Sequence, residues 1–280
     1  MVIFHCAAIL AHAVTDKKFL WSCNVDGTRM VAEIAKQCSI PRIVAISSNC
    51  IWGEATGRPM KEDDPPLNPE IYGRSKWAAE NVLREFWSDL NIAIIRCPTI
   101  LDAGRLGLLA ILFEFIDDGR KVWVVGGGEN RYQFIYAKDL ADACIRASAW
   151  KGSDIFQVGS DDVPTFREAY GYVITQAKTG ARVANFPRMI AIPLMKLAYA
   201  LRLSPLGPYQ YKMIAEDFVF DTSKAKQLLG WRPTLTNGEM LWKSFEFYRD
   251  HRGTLQSGST VSAHRQAAKM GVIRVLKWLS

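Results

Sequence analysis

Short apolar runs of five to eight residues recur along this chain with helical patterns between them. That alternation limits the fold more than any other feature. Met1 to Ala8 (Met-Val-Ile-Phe-His-Cys-Ala-Ala), Arg42 to Ser48 (Arg-Ile-Val-Ala-Ile-Ser-Ser), Ile92 to Arg96 and Ile155 to Gly159 read as buried strands. Helices are predicted from about Asn24 to Gln37, over Tyr72 to Trp87 and over Leu106 to Asp118. The second of these follows a proline-rich loop from Arg58 to Pro69. Strands that are apolar throughout need cover on both faces, so the expected class is α/β with a parallel sheet. From Pro164 to Asp250 the alternation weakens and helices dominate, which predicts a small, mainly helical C-terminal lobe. The expected division is 1–163, 164–250 and a tail, 251–280.

Composition excludes several classes. With 49% hydrophobic and 22% charged residues in 280, the chain is neither disordered, collagen-like nor a disulfide mini-scaffold. No run reaches 18 uncharged apolar residues, so no spanning helix is expected. The net charge of +7 is a property of the tail. Arg252, Arg265, Lys269, Arg274 and Lys277 lie after Asp250 with no acid among them, leaving 30 basic against 28 acidic residues in 1–250. A basic nucleic-acid face is therefore not expected. The six cysteines, Cys6, Cys23, Cys38, Cys50, Cys97 and Cys144, form no C-x-x-C pair or metal-ligand spacing, and read as buried free thiols of a cytoplasmic protein. Met1 to Ala13 is apolar but has no basic start, which argues against a secretion signal. Gly253 to Ser262 reads as a linker and Ala263 to Ser280 as an amphipathic basic helix. A weak, peripheral membrane-surface contact and docking on the chain's own domain or a partner subunit, such as a homodimer, have equal weight for it. Glu62, Asp63 and Asp64 read as a solvated loop and not a metal site. Asp139 reads as a helix N-cap, and His251 and His264 as groups without partners.

Chemistry concentrates at Ser48 and at Tyr72-Gly-Arg-Ser-Lys76. Ser47 and Ser48 close a buried strand, and in parallel α/β sheets ligands sit at carboxyl ends of strands. Tyr72 and Lys76 open the next helix four residues apart, which places the phenol and the ammonium on one face. A free phenol is a poor base at neutral pH, and a nearby ammonium favours its ionised form. With a serine hydroxyl to hold the oxygen, such a group can move an alcohol proton while a nicotinamide takes the hydride.

At these residues the sequence resembles the extended short-chain dehydrogenase/reductases of the NAD-dependent epimerase/dehydratase type. The stretches that carry the resemblance are His5-Cys-Ala-Ala8, Asn24-Val-Asp-Gly-Thr28, Ser47-Ser-Asn-Cys-Ile-Trp-Gly53, Tyr72 to Lys76 with Glu80, and Arg96-Cys-Pro98. Gln133 to Asp139, Phe220 to Lys226 and Leu229 to Pro233 extend it to about residue 250. The resemblance implies a Rossmann-type sheet, with 99–135 contributing to a substrate cleft and the lobe holding substrate. It implies Ser48, Tyr72 and Lys76 as catalytic residues. His5, Ala7, Ala8, Asn24, Ser47, Tyr72, Lys76 and Pro98 are the implied cofactor contacts, and Asn49, Trp52 and Arg131 the implied substrate contacts. For Arg131 an ordinary surface arginine is an equal reading. The implied cofactor is NAD, with NADP the alternative. The implied substrate is a nucleotide sugar, epimerised or dehydrated through transient hydride transfer.

Two departures stand out. Trp52 occupies a position where the family often has tyrosine. No Gly-x-x-Gly-x-x-Gly turn precedes residue 5, and Gly126-Gly127-Gly128 runs toward a strand-like segment and reads as a turn that holds no phosphate. The sheet is therefore expected to be N-terminally truncated, with in-frame codons upstream encoding the glycine-rich strand–turn–helix. Two rival functions remain at this stage: a 3β-hydroxysteroid-dehydrogenase-like lipid-alcohol oxidoreductase, suggested by apolar Met189 to Leu203, and a catalytically silent fragment.

Overall fold

The computed structural model describes residues 1–10, 16–201, 203 and 208–255. The strands are β1 (Val2–His5), β2 (Arg42–Ser48), β3 (Asn91–Cys97), β4 (Thr99–Leu101), β5 (Lys121–Val125), β6 (Phe134–Tyr136), β7 (Asp154–Gln157) and β8 (Arg182–Phe186). The helices are α1 (Lys17–Trp21), α2 (Gly27–Gln37), α3 (Ile71–Glu85), α4 (Leu109–Asp117), α5 (Ala137–Ser148), α6 (Phe166–Ala177), α7 (Arg188–Ala200), α8 (Pro208–Met213), α9 (Ser223–Leu228) and α10 (Asn237–Leu255).

Two compact units interleave along the chain. One takes 1–99, 137–159 and 220–234; the other takes 100–136, 160–219 and the residues from 235. The chain thus crosses between units several times, where the sequence suggested single boundaries near 163 and 250.

The first unit is a four-stranded, all-parallel sheet in the order β1-β2-β3-β7, with β1 at an edge. Ile43, Ala45, Ile92, Ile94 and Ile155 pack against Ala32 and Ala35 of α2 and Leu83 of α3. The intervening Val44, Ala93 and Ile95 are buried too, and α5 packs on β2 and β3. Both faces of β2 and β3 are covered, as continuously apolar strands require; β1, expected to be buried, lies at the sheet edge with only His5 buried and Phe4 47% exposed. The helix before β2 starts earlier than its periodicity suggested. Asp16 caps α1 by accepting from Lys18 N (2.8 Å), and a π-turn over Ser22–Asp26 joins α1 to α2.

Buried charge ties this sheet to α3 and to the proline-rich loop. Arg96 of β3 is fully buried. Its guanidinium donates to the Glu80 carboxylate through Nε (3.0 Å) and Nη2 (2.7 Å), and to the Glu62 carbonyl through Nη1 (2.8 Å). It also lies 5.0 Å from the Trp52 ring and 5.8 Å from that of Trp77. Ser47 Oγ donates to Glu80 Oε1 at 2.5 Å. Glu62 is thus not a free loop carboxylate. Its Oε1 accepts from Gln157 N of β7 (3.0 Å), and burial pushes its carboxyl upward.

Asp139 is also more than a cap. It is the third residue of α5, buried, and accepts from Thr234 N (2.8 Å) and Thr234 Oγ1 (2.7 Å), while its carbonyl accepts from Trp231 Nε1 (2.9 Å). The Leu229-to-Pro233 segment is pinned back onto this unit by those bonds.

The second unit contains the pairs β4–β6 and β5–β8 with α4, α6, α7, α8 and α10. Strand β8 lay hidden in the segment read as helical, and pairs parallel to β5 from Lys121↔Arg182 to Val125↔Phe186. Gly126 to Gly128 form the expected turn, all with positive φ. His251 has a partner after all: Nδ1 bonds Phe247 O (2.9 Å) and its ring stacks on Phe247. α10 continues through Gly253 to Leu255, so the linker cannot begin at Gly253. His264 and the tail helix lie outside the described residues. None of the six cysteines is in a disulfide; Cys97 and Cys144 are buried, whereas Cys6 and Cys38 are exposed.

Removing one partner of a buried ion pair strands the other. Arg96→Met should therefore cost about 3–5 kcal/mol, and adding Glu80→Leu should restore much of it. Urea-unfolding midpoints of the single and double variants check this.

Candidate active site

Ser48 closes β2, and the next residues, Asn49–Ile51, coil into one 3-10 turn. The Ser48 side chain accepts from Cys50 N (3.2 Å) and lies close enough to the Tyr72 phenol to favour its ionised form. Tyr72 is the second residue of α3. The start of that helix is pressed against the 49–51 turn, and Gly73 makes the approach feasible. A Cβ on Gly73 would lie 2.0 Å from the Cys50 carbonyl oxygen. Gly53 serves the far side of the same turn, where a Cβ would lie 2.2 Å from Asn68 O. The motif glycines are thus contact requirements.

Lys76, one turn beyond Tyr72, is buried, and its ammonium donates to Ile46 O of β2 at 2.9 Å. Burial lowers its pKa, opposed by Glu80 and by the Cys97 and Cys6 thiols. Burial likewise holds the Tyr72 phenol well above its usual range; Cys50 and Cys97 add to this, and Ser48 pulls the other way. The four-residue spacing alone predicts that Lys76 dominates and lowers the phenol. With its ammonium on Ile46 O, desolvation wins.

The remaining residues separate into two kinds. His5, Asn24 and Ser47 are buried with their polar atoms engaged inside the protein. Thr28 Oγ1 spends its proton on Asn24 O (2.7 Å), so it accepts from His5 Nε2–H (2.9 Å). This makes His5 the neutral Nε2-protonated tautomer. Burial and the Lys76 ammonium lower its pKa to about 4. Asn24, inside the π-turn, accepts from Ile9 N (2.7 Å) and donates to Ile9 O and Ser75 Oγ (both 3.0 Å). Ser75 Oγ donates in turn to the Tyr72 carbonyl (2.7 Å). Asn24 therefore ties the segment after β1 to the turn that carries Tyr72. No side-chain periodicity announces such a link. Trp52 is fully buried, with Nε1 donating to Pro65 O (3.0 Å), so it supports the turn and lines no open wall as placed.

Ala7 and Ala8 are exposed beyond β1, and Pro98 is buried just past β3. Asn49 is only 2% exposed, yet neither its carboxamide oxygen nor its nitrogen has a partner among the described residues. Arg131 belongs to the other unit, where its Nη1 donates to Val163 O (2.6 Å) and its backbone N–H to Asp217 (2.7 Å).

The His5 shift has a definite sign. Between pH 6.5 and about 4 the unfolded chain binds a proton at this residue that the folded chain refuses. Stability present above pH 6.5 is lost as pH falls through that window, by about 3 kcal/mol. Unfolding midpoints from neutral pH down to about pH 4 should show this loss in the native protein and a shallower one in His5→Gln.

The profile described as the NAD dependent epimerase/dehydratase family matches residues 1–159. The uncharacterized protein y4nG of Sinorhizobium fredii is 35% identical over 278 residues, 99% of this chain and 70% of that protein. A UDP-glucose 4-epimerase of Mycolicibacterium smegmatis is 28% identical over 265 residues, covering 89% of this chain and 76% of its own. A 3beta-hydroxysteroid-dehydrogenase/decarboxylase (isoform 1) of Arabidopsis thaliana is 22% identical over 301 residues, 98% of this chain and 68% of its own. With the family profile matched over more than half the sequence and a relative 35% identical over 278 residues, the chain belongs to the NAD dependent epimerase/dehydratase family.

Proposed function

We propose that the chain oxidises and reduces a carbinol carbon of a nucleotide sugar, in an epimerase or dehydratase reaction, with Ser48, Tyr72 and Lys76 at the reacting end. The observation that carries this reading is the placement of Ser48, at the carboxyl end of β2, beside the start of α3, where Tyr72 and Lys76 lie one helical turn apart.

The nicotinamide-ribose end of NAD fits these residues. Lys76 uses one N–H on Ile46 O, which leaves two for a ribose diol. Ala7 and Ala8 present small side chains at the open end of β1. The described residues include no glycine-rich strand–turn–helix for the pyrophosphate. When bound, NAD supplies the hydride acceptor for the carbinol carbon. Ser48 Oγ holds the substrate oxygen, and Tyr72 Oη takes its proton and later returns it. Burial keeps the resting phenol protonated, the form that gives a proton to a carbonyl oxygen, so Tyr72 must first release that proton before it can take one from an alcohol.

Asn49 favours a sugar over a sterol. An orphaned buried carboxamide costs about 1–3 kcal/mol until something both donates to it and accepts from it. Adjacent ring hydroxyls can do both. The lone hydroxyl of a sterol is the reacting group, taken up by Ser48 and Tyr72 in this reading, and leaves the carboxamide to a hydrocarbon frame that can neither donate nor accept. The sterol-type reading draws on the Arabidopsis relative's name and on the apolar helix α7, and parallel assays with UDP-glucose and a 3β-hydroxysterol decide between the two.

Tyr72→Phe should lower turnover by about 100-fold or more while cofactor affinity, read by NADH fluorescence, stays within about twofold. Near-normal turnover in that variant overturns the assignment. Asn49→Leu should raise KM for the nucleotide sugar about tenfold or more without loss of stability, because it removes an unpaired polar group. A purely structural Asn49 would lower the unfolding midpoint and leave KM unchanged.

A further inference from the structure

α7 is apolar on two sides. Ala191, Ile192 and Met195 pack inward on Val125, Phe186, Ile214 and Ala215. On the other side Ile190, Leu194, Leu197 and Leu201 follow one another at spacings of four, three and four, a single helical ridge. They are 57%, 48%, 56% and 58% exposed. Met189 at the start of the helix is 90% exposed, and Leu203 beyond it is exposed too. A contiguous row of large aliphatics in water marks an interaction surface.

Charge indicates what covers it. From Ala169 to Ala215 the sequence has six basic residues, Lys178, Arg182, Arg188, Lys196, Arg202 and Lys212, and no acid. Glu216, just beyond, takes up part of Arg188 at 4.0 Å. Lys178, Arg182 and Lys196 are exposed. α7 itself carries Arg188 and Lys196 and no acid, so a second copy docked symmetrically on this helix would bring like charges together with no acid of the helix to pair them. The ridge offers no hydrogen-bonding side chain, so its affinity must come from apolar area together with diffuse positive charge. Pro193 and Lys196 lie in the helix, and no helix among the described residues is long and apolar enough to cross a membrane.

We propose that α7 is an interfacial docking helix that lies on an anionic bilayer surface, with Ile190, Leu194, Leu197 and Leu201 in the acyl boundary and the basic residues at the headgroups. The contact is independent of which alcohol the active site oxidises. Tyr199, also exposed, has the ring-and-hydroxyl character suited to headgroup depth.

Flotation of the full chain with phosphatidylcholine vesicles, with and without phosphatidylserine, tests this. Binding is expected to the anionic vesicles, weakened by salt. Leu194→Glu with Leu197→Glu should lower it at least about tenfold, with circular dichroism unchanged because both side chains are exposed. Should that variant fail to fold, Leu197→Gln is read instead and should lower binding about threefold. Three results overturn the proposal: no flotation with anionic vesicles, flotation that the variants leave unchanged (a contact through residues 263–280), or a protein dimer or complex that the variants abolish without vesicles present.

Discussion

The ion pair between Glu80 and Arg96 is the constraint on which the first unit is built. One carboxylate and one guanidinium, both out of water, join α3 to β3, hold Ser47 at the end of β2 and reach the carbonyl of Glu62 in the proline-rich loop. A buried pair of this kind contributes little net stability, since desolvation offsets much of the attraction. Its consequence is positional. Ser48 and Tyr72 lie one residue from Ser47 and two turns from Glu80, so the register that satisfies the pair also brings the hydroxyl and the phenol together.

A second set of bonds fixes Tyr72 from the other side. Asn24 inside the π-turn reaches Ile9 and Ser75, and Ser75 reaches the Tyr72 carbonyl. π-turns interrupt helices where a side chain must be re-aimed, and this one turns a carboxamide inward. Against these committed groups, Asn49 and Lys76 stand apart. Among the described residues, one has both polar atoms unpartnered and the other donates only to Ile46 O, so hydrogen-bonding capacity is left over close to Ser48. That is where a polar substrate and the sugar of a cofactor gain most from binding.

The sheet was legible in the sequence because β2 and β3 are buried on both faces and carry no competing periodicity. The places of Ser48 at a strand end and of Tyr72 and Lys76 on one turn of α3 were legible because strand ends and the i, i+4 rule fix positions without reference to distant residues. What escaped depends on long-range partners. Asp139 reads as a cap until Thr234, far along the chain, is placed against it. Glu62 looks solvated until β7 brings Gln157 to it. Strand β8 is short and half open, and neighbouring α6 and α7 mask its weak alternation. Desolvation of Tyr72 escaped for the same reason, since burial is a property of packing and cannot be read from four-residue spacing.

The central claim is that Ser48 and Tyr72 work on an alcohol oxygen while hydride, not a bare proton, leaves the adjacent carbon. Deuterium placed at the carbinol carbon of UDP-glucose tests it directly in the intact protein. The account predicts slower turnover and a sugar product that keeps its deuterium, because a hydride held in the site returns to the same molecule. Washout of that deuterium into solvent water would mean proton abstraction at carbon, and would contradict the account.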